Sequence, residues 1–417
     1  MTRNVLLASV LLTSIFAAAA APRSTNLLYV DGVHGNDHND CKSRQAPCKT
    51  IGGAISVATP WSTILVAPAT YSERLNIAVS LNIVGAGAKT TTIDAGGIGT
   101  VVAISSKTAQ VVLGGFTIRN GLADSYGGGI LNTGNATIYD TAILGNAGNY
   151  YIEADAGGIE NDGTMILNRC TVSQNEIYGA YYGSGSGIYN AGALTINDST
   201  ISDNSSQTTD TYGAGIYNGG TLVINRSTIS GNNTGNGAYT EGGGIDSYGN
   251  VILNNSTITA NGSPGGTGGG IATSYSGTLT ISSSTISGNS AAWGAGGISA
   301  DTLVIIQNSI IADNGTNCSG GIVSNGYNLS SDDTCPFTSP GDLNNTEPLL
   351  APLGNNGGPT PTMAELPGSP TIDAGNPNGC TDSQGNPLKT DQRGAPRPGK
   401  HKNLHRCDMG AFERQGD

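Results

Sequence analysis

Residues 219–233 read GGTLVINRSTISGNN, and residues 276–290 read SGTLTISSSTISGNS. The same line recurs through the middle of the chain, marked by Asn146, Asn175, Asn204, Asn232, Asn261, Asn289 and Asn314, spaced 25 to 29 residues apart. Three residues before each asparagine stands an aliphatic residue: Ile143, Val172, Ile201, Ile229, Ile258, Ile286 and Ile311. Further upstream come an aliphatic pair, such as Leu194/Ile196 or Leu222/Ile224, and a glycine cluster ending in isoleucine (Ile130, Ile159, Ile188, Ile216, Ile245, Ile271, Ile298). Apolar and polar residues alternate over short runs broken by glycine and asparagine, which is the rhythm of half-buried strands and not of helices. With 64 glycines and only 12% charged residues, the composition points the same way.

The repeat predicts three short strands per unit. One such unit cannot bury its few aliphatics alone, but stacked copies can, each adding a layer of about 4.8 Å to a continuous core. The expected fold is therefore all-β, a right-handed parallel β-helix, because a leucine-rich repeat or a propeller would need other spacings. Stacked units place like on like. The asparagine column is expected to form an amide ladder, and the column Asp140, Arg169, Asp198, Arg226 a ladder of opposite charges. Cys170 falls where other units have Thr141, Ser199, Ser227, Ser256, Ser284 and Ser309, so a small buried thiol is expected.

Before the repeats, Thr50 followed by Ile51, Ile55 and Ala58 on one face predicts a short helix closing the first turn. The extreme N-terminus sets Arg3 before an apolar run, Val5 to Phe16, and an alanine string, the pattern of a secretory signal peptide over residues 1–20. That run is short for a membrane span of about 20 residues. Six cysteines form local neighbours, Cys41 with Cys48, Cys318 with Cys335 and Cys380 with Cys407, plausible disulfides in an exported chain. The formal net charge of −12 argues against nucleic acid and anionic lipid as partners.

YVDGVHGNDHNDC, ILVAPATYSERLNI and LNIVGAG resemble the start of secreted proteins of the pectate-lyase-like superfamily of right-handed β-helices. FTIRNG, the GGGI turns and CSGGIVSNGYNLSSDDTC resemble bacterial parallel β-helix repeat proteins. The tail, from EPLLAPLGNNGGPTPTMAELPGSPTIDAGNPNGC to DMGAFE, is similar to the choice-of-anchor Q domain. These resemblances imply a secreted or cell-surface protein, expected to be a monomer. They divide the chain into a signal peptide (1–20), an N-terminal cap and first turns (24–100), β-helix repeats (101–335) and a loop-rich C-terminal domain (336–417). Members of this group often carry a sorting sequence after that domain; here RQGD follows, which favours free secretion.

Resemblance to pectate lyases raises the question of chemistry, and fold alone does not answer it. A β-eliminating lyase needs a basic residue beside its substrate carboxylate, usually with calcium held by clustered acids. Between residues 101 and 335 the basic residues are Lys107, Arg119, Arg169 and Arg226, and two of these belong to the charge column. The four histidines, His34, His38, His401 and His405, lie outside the repeats. The best outward column is Glu160, Tyr189, Tyr217 and Asp246, whose two acids are weak catalytic candidates: three turns, about 14 Å, separate them, beyond the roughly 5 to 10 Å of glycosidase pairs. Asp155 or Glu241 could supply a nearer partner. The inserts before each glycine cluster are expected to emerge at one corner, presenting Tyr150, Tyr151, Tyr178, Tyr181, Tyr182, Tyr212 and Tyr239 beside Asn and Asp, a surface suited to sugar rings or a protein partner. Asp31, Asp37 and Asp40 have the oxygen density of a calcium loop without its spacing, so no cofactor is expected. Asp373, Asp391 and Asp408 are expected to cap turns. The expected function is a binding or adhesion scaffold, with a polysaccharide lyase or hydrolase acting on a uronic-acid polymer as the alternative.

Overall fold

The corners of the coil explain its glycine and asparagine content. In a computed structural model, which describes residues 26–124, 126–399 and 406–416, each full turn bends at three positions with left-handed backbone. The first corner holds Asp140, Arg169, Asp198, Arg226, Asn255, Ser283 and Asn308, all with φ between 46° and 53°. The second holds Gly145, Gln174, Asp203, Gly231, Ala260, Gly288 and Asp313, and the third Ala156, Gly185, Gly213, Gly242 and Gly268. Left-handed backbone costs least for glycine and next for Asn and Asp, which is why these residue types recur at the period of the coil.

Between corners the strands run parallel and stack turn on turn into a right-handed parallel β-helix. One sheet of 20 strands takes two strands from most turns, and a second of 11 strands takes one. Ile130, Ile159, Ile188, Ile216, Ile245, Ile271 and Ile298 lie directly above one another, as do Ile143, Val172, Ile201, Ile229, Ile258, Ile286 and Ile311. All are fully buried or within 1% of it, and each such side chain contributes about 1.5–3 kcal/mol of burial.

The turns are larger than the three strands expected from sequence. The inserts do not emerge as loops at a corner; they are strands of the coil wall, forming a four-stranded sheet (Leu122–Ala123, Ala147–Gly148, Glu176–Tyr178, Ser205–Gln207) and a five-stranded one (Glu153–Asp155, Tyr182–Ser184, Asp210–Tyr212, Tyr239–Glu241, Gly266–Thr267). The inward positions of the five-stranded sheet are small or polar, Ala154, Gly183, Thr211 and Thr240, and all are buried. Hydrophobic alternation is absent there, so the strand signal is too.

Both ends of the core are closed. The helix Ile51–Val57 is capped by Thr50, whose side chain accepts from Gly53 N, and it buries Ile51 and Ala54, with Ile55 and Ala58 packed beside them. Cys335 and Phe337 join the far end of the core. Disulfides connect Cys41 to Cys48, Cys318 to Cys335 and Cys380 to Cys407, while Cys170 is free and buried. Beyond Phe337 the tail does not simply extend the end of the coil: it doubles back along the outer face of the 11-stranded sheet. Thr228 Oγ1 donates to Pro361 O, Asn255 Nδ2 to Thr390 O and Thr257 Oγ1 to Gln392 Oε1. The signal-peptide reading, His401 and His405 lie outside the described residues.

Candidate functional site

The tail lies over the later turns of the 11-stranded sheet and the corner beside it, whereas exposed side chains stand on the insert wall. Strand alternation places the outward residues of the insert wall in two columns: Glu153, Tyr182, Asp210 and Tyr239, then Asp155, Ser184, Tyr212 and Glu241. After the third corner follows the outward column Glu160, Tyr189, Tyr217 and Asp246. The left-handed corner residues bring the two walls close. A Cβ on Gly185 would sit 2.8 Å from Tyr189 Cα, and one on Gly242 2.4 Å from Asp246 N, so only a residue without a side chain fits those tight bends. The result is a face that carries an acidic pair (Asp155, Glu160), two turns of tyrosine, and a second acidic pair (Glu241, Asp246).

Tyr189 and Tyr217 stack at 5.1 Å between ring centroids, and the row continues through Tyr248 at 5.6 Å and Tyr275 at 5.7 Å. Stacked on each other, these rings present their edges and hydroxyls outward and not their faces. Tyr275, at the end of this row, is exposed, and a second group of exposed rings lies on the insert wall. Tyr151 is 84% and Tyr239 70% exposed, and Tyr150, Ile152, Tyr181 and Tyr182 are exposed beside them. Tyr181 and Tyr182 meet edge to face at 4.7 Å. Tyr178 and Tyr212 are half-buried.

The acids are held unlike surface carboxylates. Glu160 is buried and accepts one hydrogen bond, from Gly127 N at 2.8 Å. Burial first, then the charge of Asp162, pushes its carboxyl up to about 8. Burial and the charge of Glu153 push Asp155 up to about 7. Asp246 is fully buried, and burial holds it far above the usual carboxylate range. Glu160 and Asp246 remain three turns apart, with Tyr189 and Tyr217 between them. The basic residues of the coil are occupied elsewhere: Arg119, Arg169 and Arg226 pair with Asp94, Asp140 and Asp198. The charge column is thus a set of separate pairs between successive turns and not a continuous ladder.

Inside the coil, each marker asparagine from Asn146 to Asn289 donates through Nδ2 to Oδ1 of the next, at 2.9 to 3.0 Å, as far as Asn314. These residues are buried and structural. A second buried column, Asn132, Asn161, Asn190 and Asn218, bonds in the same manner and ends on Ser247. Sequence reasoning missed it, although the Ile-x-Asn triplets after the glycine clusters carry it at the repeat period. Asp31 and Asp37 accept backbone N–H bonds from Val33, His34, Lys49 and Thr50, and Asp391 and Asp408 accept them from Arg393, Ala395, Asp373 and Arg414. Among the described residues no three His, Cys, Asp or Glu side chains are grouped to hold a metal ion, and no helix is long and apolar enough to cross a membrane.

Residues 184–334 match the family model for the right handed beta helix region. Among solved structures, pectate lyase Pel9A superposes with a TM-score of 0.50 at 14% identity, covering 94% of this chain and 97% of that one. A pectin methylesterase variant in complex with a hexasaccharide has a TM-score of 0.31 at 14% identity, covering 72% and 81%. A XylC complex with xylose has a TM-score of 0.40 at 9% identity, covering 93% and 98%. The first of these supports the coil architecture and, at that identity, nothing about chemistry. No curated protein matches the chain.

Proposed function

We propose that this protein is a secreted or cell-surface β-helix whose insert wall binds carbohydrate. The observation that carries the reading is the cluster of exposed rings, Tyr150, Tyr151, Tyr181, Tyr182 and Tyr239, with Ile152 among them, on one face of a rigid coil. Exposed rings gathered on one face mark an interaction surface, and tyrosine offers both a ring face and a hydroxyl to a sugar. Three disulfides suit an oxidising compartment. The protein acts as a monomer, and its tail, similar in sequence to choice-of-anchor Q domains, straps the opposite face of the coil. Screening the purified protein against immobilised polysaccharides tests this: the account expects retention on at least one glycan, and retention on none contradicts it.

One observation favours the enzymatic alternative. A carboxyl pushed up to about 8 at Glu160, beside Asp155 at about 7, is protonated at neutral pH as a general acid must be. A uronic-acid polymer is the weaker substrate for such a face, since no free basic residue of the coil lies beside these acids to receive its carboxylates. Depolymerisation of polygalacturonate that is lost in Glu160→Gln or Asp246→Asn would replace the binding reading with the enzymatic one.

A further inference from the structure

Asp246 is the second residue of the strand Ile245–Ser247. Its neighbours point inward: Ile245 joins the aliphatic stack, and Ser247 Oγ accepts from Asn218 Nδ2 at the end of the second amide column. Alternation therefore turns Asp246 to the outer side, onto the groove between the two walls. There it is 0% exposed, and neither carboxyl oxygen makes a well-formed hydrogen bond, although the backbone N–H of Ser247 lies close enough to favour the ionised form slightly. Among the described residues it is the one acid with both oxygens buried and without a well-formed hydrogen bond. A buried polar group in that state costs free energy and calls for an explanation.

The groups around it supply one. Glu241 and the rings of Tyr212, Tyr217 and Tyr248 all lie within electrostatic reach of Asp246. Tyr248 tilts at 42° to Tyr217 and stacks on Tyr275 of the following turn, which is 85% exposed. Two carboxyls and three aromatic rings are the components that recognise an organic cation. Among the described basic residues of the repeats, Arg119, Arg169 and Arg226 are paired at another corner, and Lys107 belongs to a turn far toward the N-terminus.

Resting on the carbohydrate-binding reading, we propose that the Glu241/Asp246 end of the groove is a subsite for the primary ammonium group of an amino-sugar residue in a glycan chain. Asp246 is its counter-ion, and Tyr212, Tyr217 and Tyr248 are its aromatic walls. While the subsite is empty, burial favours the neutral form of Asp246; an ammonium group beside it would favour the ionised form. A glycan fits better than a lysine-bearing peptide. The strands of this face are hydrogen-bonded to the turns above and below, so the groove offers no free sheet edge for a peptide strand to extend. What it offers is a row of side-chain hydroxyls and carboxyls repeating with the turns.

The test is titration calorimetry of the full protein with a glucosamine hexasaccharide, its fully N-acetylated counterpart, a neutral cello-oligosaccharide and hexalysine. The proposal expects the glucosamine oligomer to bind at least about tenfold more tightly than the other three. It also expects that advantage to vanish in Asp246→Asn and in Glu241→Gln, with unchanged melting temperatures. Glu241→Gln keeps the test valid if Asp246→Asn does not fold. Equal binding of acetylated or neutral sugars overturns the ammonium subsite and leaves the carbohydrate reading standing. Equal or tighter binding of hexalysine overturns the glycan assignment. Binding of no sugar removes the carbohydrate reading, and this inference with it.

Discussion

Asn232 shows how a single residue holds a turn. Its Nδ2 donates to Asn261 Oδ1 at 2.9 Å and to Ile201 O at 3.0 Å, and its Oδ1 accepts from both the backbone N and Nδ2 of Asn204. Packing fixes the size as well as the chemistry: a Cβ on Gly215 would come 3.0 Å from Asn232 Nδ2, so the glycine clusters are the space into which the ladder fits. Asn232→Leu leaves several of these buried groups unpaired at about 1–3 kcal/mol each. The expected loss is therefore at least about 3 kcal/mol in denaturant unfolding, and an unchanged midpoint would show that the ladder contributes nothing. Cys170 belongs to the same logic. Its backbone N–H donates to Ser199 Oγ at 2.9 Å, as that of Ser199 does to Ser227 Oγ, and burial pushes its thiol up to about 12. It is a packing residue in a serine column.

At the scale of elements, legibility followed periodicity. The aliphatic columns and the marker-asparagine column were readable because each recurs at the turn length with one kind of side chain. The insert strands were not, because Ala154, Gly183, Thr211 and Thr240 face inward without hydrophobic contrast to their neighbours. The groove was missed for the same reason: its two walls belong to strands of which only one was recognised. The path of the tail was also hidden, since it rests on single contacts spanning more than a hundred residues, such as Asn255 with Thr390. Arg397 is the centre of that attachment. It pairs with Glu413 at 2.9 Å and donates to Asn255 Oδ1, Gly410 O and Phe412 O, all buried. Removing one partner of a buried pair costs about 3–5 kcal/mol. Arg397→Ala is expected to expose residues 380–399 and 406–416 to amide hydrogen exchange while the core strands stay protected; unaltered exchange there would contradict the strap.

For the whole molecule, the buried acids set the response to pH. Glu160 and Asp155 are raised to about 8 and about 7, so the folded state binds their protons more tightly than the unfolded chain does. Their contribution is complete below the unfolded carboxylate range, near pH 4, and is lost as pH rises through 7 to 8. Asp94 and Asp140 shift the other way, lowered by the hydrogen bonds and charges of Asn120, Arg119 and Arg169 against burial, so stability also falls in stronger acid. The melting temperature is expected to peak between about pH 4 and 5 and to decline toward pH 8; a maximum at or above pH 7 would contradict these assignments.

The central claim is that the exposed rings of the insert wall hold a glycan. Tyr181 and Tyr182 project from that wall and touch mainly each other, so replacing both with alanine removes binding area without opening the core. The most direct measurement is the affinity of the Tyr181→Ala/Tyr182→Ala protein for the polysaccharide that retains the wild type, read together with its melting curve. The account predicts a loss of about tenfold or more, the equivalent of roughly 1.4 kcal/mol, at an unchanged melting temperature. Undiminished affinity in a folded double variant would place the binding surface elsewhere and contradict the account.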